Sequence, residues 1–299
     1  MPIPAIRFDA LTKYYGPVIG VEQLSLDVEQ SEVFGFLGAN GAGKTTTIRI
    51  LLDLLRPSSG SAAVLGFDTR RASVEVRRRV GYLPGEMPVY AEMTGAGYLA
   101  FLATIGATPV SAGRLDTLCR RFNVSHVDLK RRMRDYSQGM KRKLGIIQAL
   151  MTDAPVLVLD EPTSGLDPLM IEAFAETIDE IARAGRTTVF LSSHILAEVD
   201  RMCQRIGLIR NGTLVAVRTL SELRAAAPRR VTVTFARPVC ELPPAGCTVV
   251  ARDPRRWILD VDGPLGPLVG ALATLPVADV DVAPFTLDDT ILRLMDPSS

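Results

Sequence analysis

A glycine-rich segment at residues 38–45 has the residue types and the spacing needed to bind a chain of phosphates. It reads Gly-Ala-Asn-Gly-Ala-Gly-Lys-Thr and fits the pattern G-x-x-x-x-G-K-[ST]. Glycine permits backbone conformations that other residues avoid, so several N–H groups can point into one concavity. Lys44 would then reach the β- and γ-phosphates, and the Thr45 hydroxyl would ligate Mg²⁺. An ordinary glycine-rich turn is the alternative. The segment predicts a nucleoside triphosphate site formed by Gly38, Asn40, Gly41, Ala42, Gly43, Lys44, Thr45 and Thr46.

Two adjacent carboxylates follow a run of apolar residues later in the chain. Residues 156–159 suit a strand that is buried on both faces of a parallel sheet. Such a strand would deliver Asp160 to the carboxyl edge of the sheet, where open α/β folds bind their ligands. There Asp160 would hold Mg²⁺, and Glu161 would polarise an attacking water as a general base. The alternative is an acidic strand end without a chemical role.

One of the two histidines also follows an apolar run. Residues 187–191 read as a strand, and a Ser-Ser step leads from it to His194. This step returns His194 to the sheet edge that carries Asp160, where we expect it to sense the γ-phosphate. A capping or buried histidine is the alternative. His126 lies in a polar stretch and is expected at the surface.

These residues fall on a repeated alternation of strands and helices. The glycine-rich segment follows a short apolar run at 32–37, and a helical pattern begins at Lys44 and would stop at Pro57. Residues 94–148 read as mostly helical. The alternation indicates an α/β architecture with a mainly parallel sheet. Strands are predicted at 156–159, 187–191 and 205–209, and helices at 168–184 and 195–204.

The composition changes near residues 224–228, Arg-Ala-Ala-Ala-Pro, which predicts a domain boundary. We expect a first domain at residues 1–222, with a helical subdomain at about 90–150, and a small α+β accessory or regulatory domain at 223–299. The element order predicted for the small domain is β-β-α-β-α. Its strands are expected at 231–235, 257–261 and 277–282, and its helices at 265–275 and 287–295.

Composition excludes several classes of protein. Lys and Arg number 34 against 33 Asp and Glu, whereas proteins that coat nucleic acid usually carry a basic excess. Basic clusters such as 141–143 are therefore expected to be solvated helix faces. The four cysteines lack metal-ligand spacing. The longest uncharged stretch, 93–113, is interrupted by glycines and Pro109, so we predict no membrane span.

A further motif stands at residues 136–141, Tyr-Ser-Gln-Gly-Met-Lys, and heads a predicted helix. Serine and glycine at a helix start form an anion-binding N-terminus. With this motif the chain resembles the ATP-binding cassette (ABC) ATPases, in which it usually reads L-S-G-G-Q. The resemblance covers about residues 4–220. It implies that Tyr15 stacks on adenine, that Ser137 and Gly139 contact phosphate, that Asp167 belongs to the D-loop and that His194 is the switch histidine.

The chain departs from the pattern of this family at a few positions. Gly85 stands where the family has the Q-loop glutamine, and it is followed by Glu86. Because glycine has no side chain to ligate Mg²⁺, either Glu86 or water would take that place. The aromatic stacker also has an alternative, since Tyr14 precedes Tyr15. Because Gly85 replaces the glutamine, the sequence leaves open whether the Q-loop keeps its coupling role.

The resemblance implies a P-loop ABC ATPase fold, with a mixed sheet core and a helical subdomain, that binds ATP and Mg²⁺. It implies a homodimer in which Ser137 and Gly139 of one copy clamp the ATP bound on Lys44 of the other. The expected second partner is a separate transmembrane permease, with the chain on the cytoplasmic, inner face of the cell membrane and no nucleic-acid partner. Permease coupling helices would dock at residues 85–90 and the helical region after Thr94.

Details of the motifs resemble the subunits of bacterial exporters that move drugs, lipids or polysaccharides. They include Gly-Tyr-Leu-Pro-Gly at 81–85, the motif at 136–143 and the small C-terminal module. The alternative is a soluble ABC ATPase that acts on nucleic acid or ribosomes. A nucleotide-binding scaffold without turnover is a third class, and Lys44, Asp160, Glu161 and His194 together oppose it.

Overall fold

A computed structural model describes residues 3–87, 90–106, 110–225, 229–244 and 246–284. The chain divides into two compact units, Met1–Arg218 and Thr219–Ser299. The sequence predicts that one domain ends at residue 222 and that a second begins at residue 223. This assignment of two independent domains stays a prediction. The first unit contains β1 (Ile6–Tyr15), β2 (Val18–Val28), β3 (Val33–Leu37), α1 (Lys44–Leu51), β4 (Ser59–Val64), β5 (Phe67–Asp68), α2 (Ser73–Arg77), β6 (Val80–Leu83), α3 (Gly95–Ile105), α4 (Ala112–Arg121), α5 (His126–Lys130), α6 (Gln138–Leu150), β7 (Val156–Asp160), α7 (Pro168–Ala184), β8 (Thr188–Ser193), α8 (Leu196–Met202), β9 (Arg205–Arg210) and β10 (Thr213–Thr219).

A six-stranded sheet in the order β10-β9-β3-β8-β7-β6 forms the centre of the first unit. The pairs β3–β8, β3–β9, β7–β8 and β6–β7 are parallel. Every residue of β3, β7 and β8 is buried, as the short apolar runs predict for strands covered on both faces. The carboxyl ends of these three strands lie at one edge of the sheet, so the segments that follow them are brought together there.

A second, antiparallel sheet in the order β2-β1-β4-β5 packs in the same unit. Phe190 of β8 stacks on Phe34 of β3, with ring centroids 5.8 Å apart, and lies 6.2 Å from Phe8 of β1. These rings are buried, and each such aromatic pair adds about 0.5–1.5 kcal/mol beyond its area burial. The ring cluster therefore fixes the second sheet against the first.

The segment from Thr94 to Leu150 is mostly helical, which confirms the prediction for it. Among its described residues, each of the four α-helices begins after a hydroxyl residue whose side chain accepts a hydrogen bond from a backbone N–H in the first turn. Such N-caps stabilise a helix by about 0.5–2 kcal/mol. The capping residues are Thr94, Ser111, Ser125 and Ser137.

The first helix is shorter than the sequence predicts. It ends at Leu51, well before Pro57, because Asp53 adopts a left-handed backbone conformation with φ of 56°. No helix in the described part of the chain has both the length and the apolar character needed to cross a bilayer.

The second unit is a small α+β fold. It contains α9 (Leu220–Ala225), β11 (Arg229–Phe235), β12 (Cys247–Asp253), β13 (Arg256–Val261), α10 (Gly266–Leu272) and β14 (Val277–Pro284), with an antiparallel sheet in the order β12-β13-β11-β14.

Trp257 is fully buried in this unit and meets the Phe235 ring edge to face, with 4.7 Å between centroids. The predicted order β-β-α-β-α is wrong in one respect, because β12 adds a strand between the first two. Its residues are mostly exposed, so no alternation of buried side chains marks it in the sequence. The helix predicted at 287–295 lies outside the described residues.

Candidate active site

The glycine-rich loop joins the end of β3 to the start of α1. Gly41 and Gly43 adopt left-handed backbone conformations, with φ of 79° and 110°. A Cβ at Gly43 would also lie 2.4 Å from the carbonyl oxygen of Gly20, so this position admits glycine alone. Because α1 begins at Lys44, its first unpaired N–H groups and the positive end of its dipole lie at the loop. The arrangement suits an anion.

Lys44 is buried, with 5% of its surface exposed. Its Nζ donates to the carbonyl oxygens of Gly38 and Ala39, at 2.6 and 3.2 Å. The same nitrogen lies 3.1 Å from Oε1 of Glu161. The side chain is therefore held along the loop, with its positive charge next to the acidic end of β7.

Asp160 is fully buried at the end of β7, and both of its carboxylate oxygens accept hydrogen bonds from hydroxyl groups. Oδ1 accepts from Ser192 Oγ at 2.6 Å, and Oδ2 accepts from Thr45 Oγ1 at 2.9 Å. The negative charge of Asp160 also contributes to a raised pKa at Tyr82, about 12, although burial of the phenol is the larger cause. A buried carboxylate and a hydroxyl in contact are hard oxygen donors of the kind that Mg²⁺ prefers.

Glu161 lies between the cation of Lys44 and the imidazole of His194. Nδ1 of His194 is 2.7 Å from Oε2 of Glu161. The other oxygen, Oε1, is buried and accepts no hydrogen bond from any described residue, although the Lys44 ammonium is near. A general base needs a carboxylate oxygen of this kind, close to the place where a water would attack.

The backbone of Glu161 is strained, with a positive φ of 51° in a residue that has a Cβ. Two contacts from the neighbouring strand hold this conformation, because the Glu161 N–H donates to the carbonyl oxygen and to Oγ of Ser192, at 3.2 and 3.1 Å. Strained residues of this kind often lie at functional sites. In this conformation the Glu161 carboxylate lies against Lys44 and His194.

A cavity of about 290 Å³ opens over the loop. At one end the half-exposed Tyr15 ring, with Val18 and Ile19, forms an aromatic and apolar surface that a base could stack on. Tyr14 does not line it, and its hydroxyl donates to Glu22 at 2.9 Å. The lining residues are Tyr15, Val18, Ile19, Gly20, Asn40, Gly41, Gly43, Lys44, Thr45, Thr46 and Glu161.

The structure brings most of the predicted site residues to this edge of the sheet. Gly38 and Ala42 belong to the loop without lining the cavity, and Asp160 and His194 contact residues that do line it. The remaining three predicted residues, Ser137, Gly139 and Asp167, are not among those lining the cavity.

Ser137 and Asp167 instead cap helices. The Ser137 side chain accepts from the N–H of Met140, and the Asp167 side chain accepts from the N–H of Met170. Asp167 also lies 3.9 Å from Nζ of Lys143. A Cβ at Gly139 would lie 3.0 Å from the carbonyl oxygen of Gly165, so the motif packs closely on the segment that precedes α7.

Arg142 is a site residue that the sequence analysis missed. It was expected on a solvated helix face, and that expectation is wrong, since only 4% of its surface is exposed. Its guanidinium donates to backbone carbonyls that include those of Asp160 and Glu161. The signal was present in the helical period, because Arg142 precedes Ile146 by four positions and so lies on the buried face of α6.

Gly85 lies against the carboxylate of Asp160. A Cβ at this position would be 3.0 Å from Oδ2 of Asp160. Glu86 does not line the cavity over the loop but lies in a separate cleft of about 460 Å³, with Gln138 and Ser164. Of the two alternatives raised for the missing glutamine, Glu86 is thus the one that the geometry disfavours.

Comparisons with known proteins place this site in context. Residues 21–164 match the sequence model of the family described as ABC transporter. The bacitracin transport ATP-binding protein BcrA of Bacillus licheniformis is 38% identical over 211 residues, which cover 70% of this chain and 68% of that protein. The daunorubicin resistance ATP-binding protein DrrA3 of Streptomyces coeruleorubidus is 36% identical over 307 aligned positions, covering 97% of this chain and 95% of that protein.

A solved structure is similar as well. It is described as the ATP binding subunit of an ABC transporter, and it superposes with a TM-score of 0.67 at 30% identity. The match covers 74% of this chain and 92% of that one.

Proposed function

Since the chain belongs to the ABC transporter family as one of its ATP-binding subunits, we propose that it hydrolyses ATP as a homodimer to drive export through a separate membrane permease. The membership confirms the resemblance drawn from the sequence motifs and the P-loop ABC ATPase fold. The observation that carries the proposal is the Glu161 carboxylate, which has His194 on one oxygen and Lys44 beside the other.

The residues at the sheet edge divide the work of hydrolysis between them. The N–H groups of the loop and the start of α1 bind the phosphates, and Lys44 offsets the charge that develops on the γ-phosphate. Glu161 Oε1 accepts the proton of the attacking water. His194 holds Glu161 through its Nδ1 and presents the rest of its ring to the γ-phosphate.

The Thr45 hydroxyl and the Asp160 carboxylate are suitable ligands for a magnesium ion. Their two oxygens are 2.9 Å apart, and the Asp160 carboxylate is fully buried. Among the described residues no group of three or more His, Cys, Asp or Glu could hold a metal alone, so phosphate oxygens and water would complete the shell. When bound, Mg²⁺ neutralises charge on the β- and γ-phosphates.

Ser137, Gly139 and Asp167 would act on the second copy. Ser137 and Gly139 lie at the N-terminus of α6, a helix of 13 residues, and they do not line the cavity of their own chain. We therefore propose that they contact the ATP held by Lys44 of the partner, and that Asp167 lies at the contact between the copies. Hydrolysis would then release the clamp.

A permease would dock on the helical segment. Tyr90, Phe101 and Ile105 are exposed there, and the Tyr90 ring packs against Tyr98 and Phe101 at 5.6 and 6.3 Å. Exposed apolar groups of this kind mark protein contacts. We propose that the chain lies on the cytoplasmic face of a membrane, bound to that permease. The names of BcrA and DrrA3, with bacitracin and daunorubicin, favour drugs as cargo.

Affinity purification of the tagged chain from detergent-extracted cells tests the proposal. We expect ATP hydrolysis and a polytopic membrane protein in the purified complex. Copurification of ribosomes or nucleic acid, with no membrane protein, would favour the alternative of an ABC ATPase that acts on those partners. A chain that binds ATP without turnover would contradict both.

A further inference from the structure

Arg142 of α6 is buried, and its hydrogen bonds to the described residues all go to backbone carbonyls. Nη1 donates to Pro84 at 2.6 Å, and Nη2 lies within reach of Gly85 at 3.1 Å. The same Nη2 donates to Glu161 at 2.5 Å and lies 3.2 Å from the carbonyl oxygen of Asp160. Nε approaches the carbonyl oxygen of Ser164 at 3.4 Å. One side chain thus joins α6 to the segment after β6 and to the segment after β7.

The chemistry of the guanidinium makes this arrangement specific. Arginine offers five donors in a planar fork and stays charged, whereas lysine offers one ammonium centre. Burial lowers the pKa of Arg142, and the nearby carboxylates of Asp160 and Glu161 oppose that effect. The carbonyl oxygens replace the water that the group loses on burial.

The hydrogen bond from Arg142 to the Glu161 carbonyl oxygen holds the backbone of Glu161. The N–H of Glu161 is held by Ser192, and its carbonyl oxygen is held by Arg142. The strained backbone of this residue, with φ of 51°, is therefore fixed on both sides. Rotation about that backbone would swing the carboxylate away from His194, and the hydrogen bond from Arg142 opposes such a rotation.

We propose that Arg142 is a positioning residue for hydrolysis, which aligns Glu161 and makes this alignment depend on the position of α6. The inference rests on the proposed role of Glu161 as general base. The helix that carries Arg142 begins at Ser137, its N-cap, so a shift of that helix tip reaches Glu161 through one side chain. Gly85 contributes a carbonyl oxygen to this link and no side chain.

Arg142→Lys tests the proposal in a double-mutant cycle with Glu161→Gln. For the single variant we expect kcat to fall by about tenfold to a hundredfold, the cost of a displaced catalytic group. The Kd of a fluorescent ATP analogue should stay within about twofold, because Arg142 does not line the cavity. In the Glu161→Gln background the same change should cost less than about twofold in kcat, since the group that it positions is absent.

A matched control is Arg120→Lys, at an exposed arginine of α4 for which the described structure shows no side-chain hydrogen bond or ion pair. It should leave kcat unchanged. Arg142→Gln, which keeps amide donors without the charge, provides a second measurement if the lysine variant does not fold, and we expect the same pattern from it.

The outcomes separate the two proposals. An equal proportional loss of kcat in both backgrounds, or a loss confined to ATP binding, would overturn the positioning role. A wild-type kcat in Arg142→Lys would do the same while leaving the function intact. If Glu161→Gln alone hydrolyses ATP at the wild-type rate, the proposed function of that residue fails instead.

Discussion

The hydroxyl of Thr45 donates a 2.9 Å hydrogen bond to Oδ2 of Asp160, and this contact joins the first turn of α1 to the end of β7. It brings together two oxygens from residues that lie 115 positions apart in the sequence. The other oxygen of Asp160 is held by Ser192. The carboxylate thus has a fixed position before any ligand binds, which would lower the cost of assembling the proposed magnesium site.

Asp160→Asn should abolish magnesium-dependent hydrolysis. The amide is a poor ligand for Mg²⁺ and carries no charge, so we expect kcat to fall by at least about a hundredfold. Steady-state hydrolysis across a Mg²⁺ titration measures the effect. EDTA should abolish ATP hydrolysis by the wild type, and added Mg²⁺ should restore that activity. Asp179→Asn, at an exposed acid on α7, is the control and should behave as the wild type. Activity of Asp160→Asn at ordinary Mg²⁺ concentrations would contradict the metal assignment.

Glu161→Gln should separate binding from turnover. Removal of a general base costs about 10²–10⁴ in rate, while the phosphate contacts stay in place. We expect unchanged affinity for ATP and a dimer that persists with ATP, which a sizing column with hydrolysis assays would detect. Glu241→Gln, at an exposed glutamate of the second unit, is the matched control. A monomeric Glu161→Gln protein with ATP bound would argue against the clamp that Ser137 is proposed to supply.

Tyr15→Ala should weaken nucleotide binding, because the ring forms one end of the cavity. Stacking of a base on an aromatic ring contributes about 1–3 kcal/mol, which corresponds to roughly fivefold to 150-fold in Kd. Tyr15→Phe should keep the affinity. Titration with fluorescent ATP gives the values. Tyr14→Ala is the control, since the Tyr14 hydroxyl contacts Glu22 outside the cavity. A larger effect at Tyr14 would assign the stacking role to that residue.

Gly85→Ala should slow hydrolysis even though it adds a single methyl group. The new carbon would lie 3.0 Å from Oδ2 of Asp160, and Thr45 and Ser192 keep that carboxylate from moving aside. A shift of a few tenths of an ångström at the metal ligand should cost about tenfold in kcat. Gly113→Ala, in α4, meets no atom within 4 Å and should leave kcat unchanged. Equal kcat values for Gly85→Ala and Gly113→Ala would show that the Asp160 carboxylate can move aside without loss of activity.

The elements that position the site could be predicted from sequence because their signals are local. Apolar runs such as 156–159 and the glycine pattern at 38–43 report burial and turn geometry directly, and the structure has β7 and the loop there. Strands β4 and β12 gave no such signal. Ser59–Val64 is rich in small residues, and Cys247–Asp253 is mostly exposed, so each is a strand because of its partner.

Arg142 shows a second reason why part of the site could not be predicted from the sequence. Its charge favours the surface in any reading of composition, and only the carbonyl oxygens of distant segments make its burial favourable. Those carbonyls belong to residues that are far from it in sequence. The opposite case is Trp257, which is fully buried, because the burial of its large apolar surface requires no particular partner.

The position of β8 between β3 and β7 has a consequence for how such chains diverge. The gap between the phosphate loop and the acidic strand end equals two interstrand steps of about 4.8 Å each, and it is set by main-chain hydrogen bonds that any sequence can form. Outer helices and loops can accumulate substitutions without altering that gap. Evolution can therefore exchange cargo and partners at the periphery while the catalytic spacing is inherited with the topology.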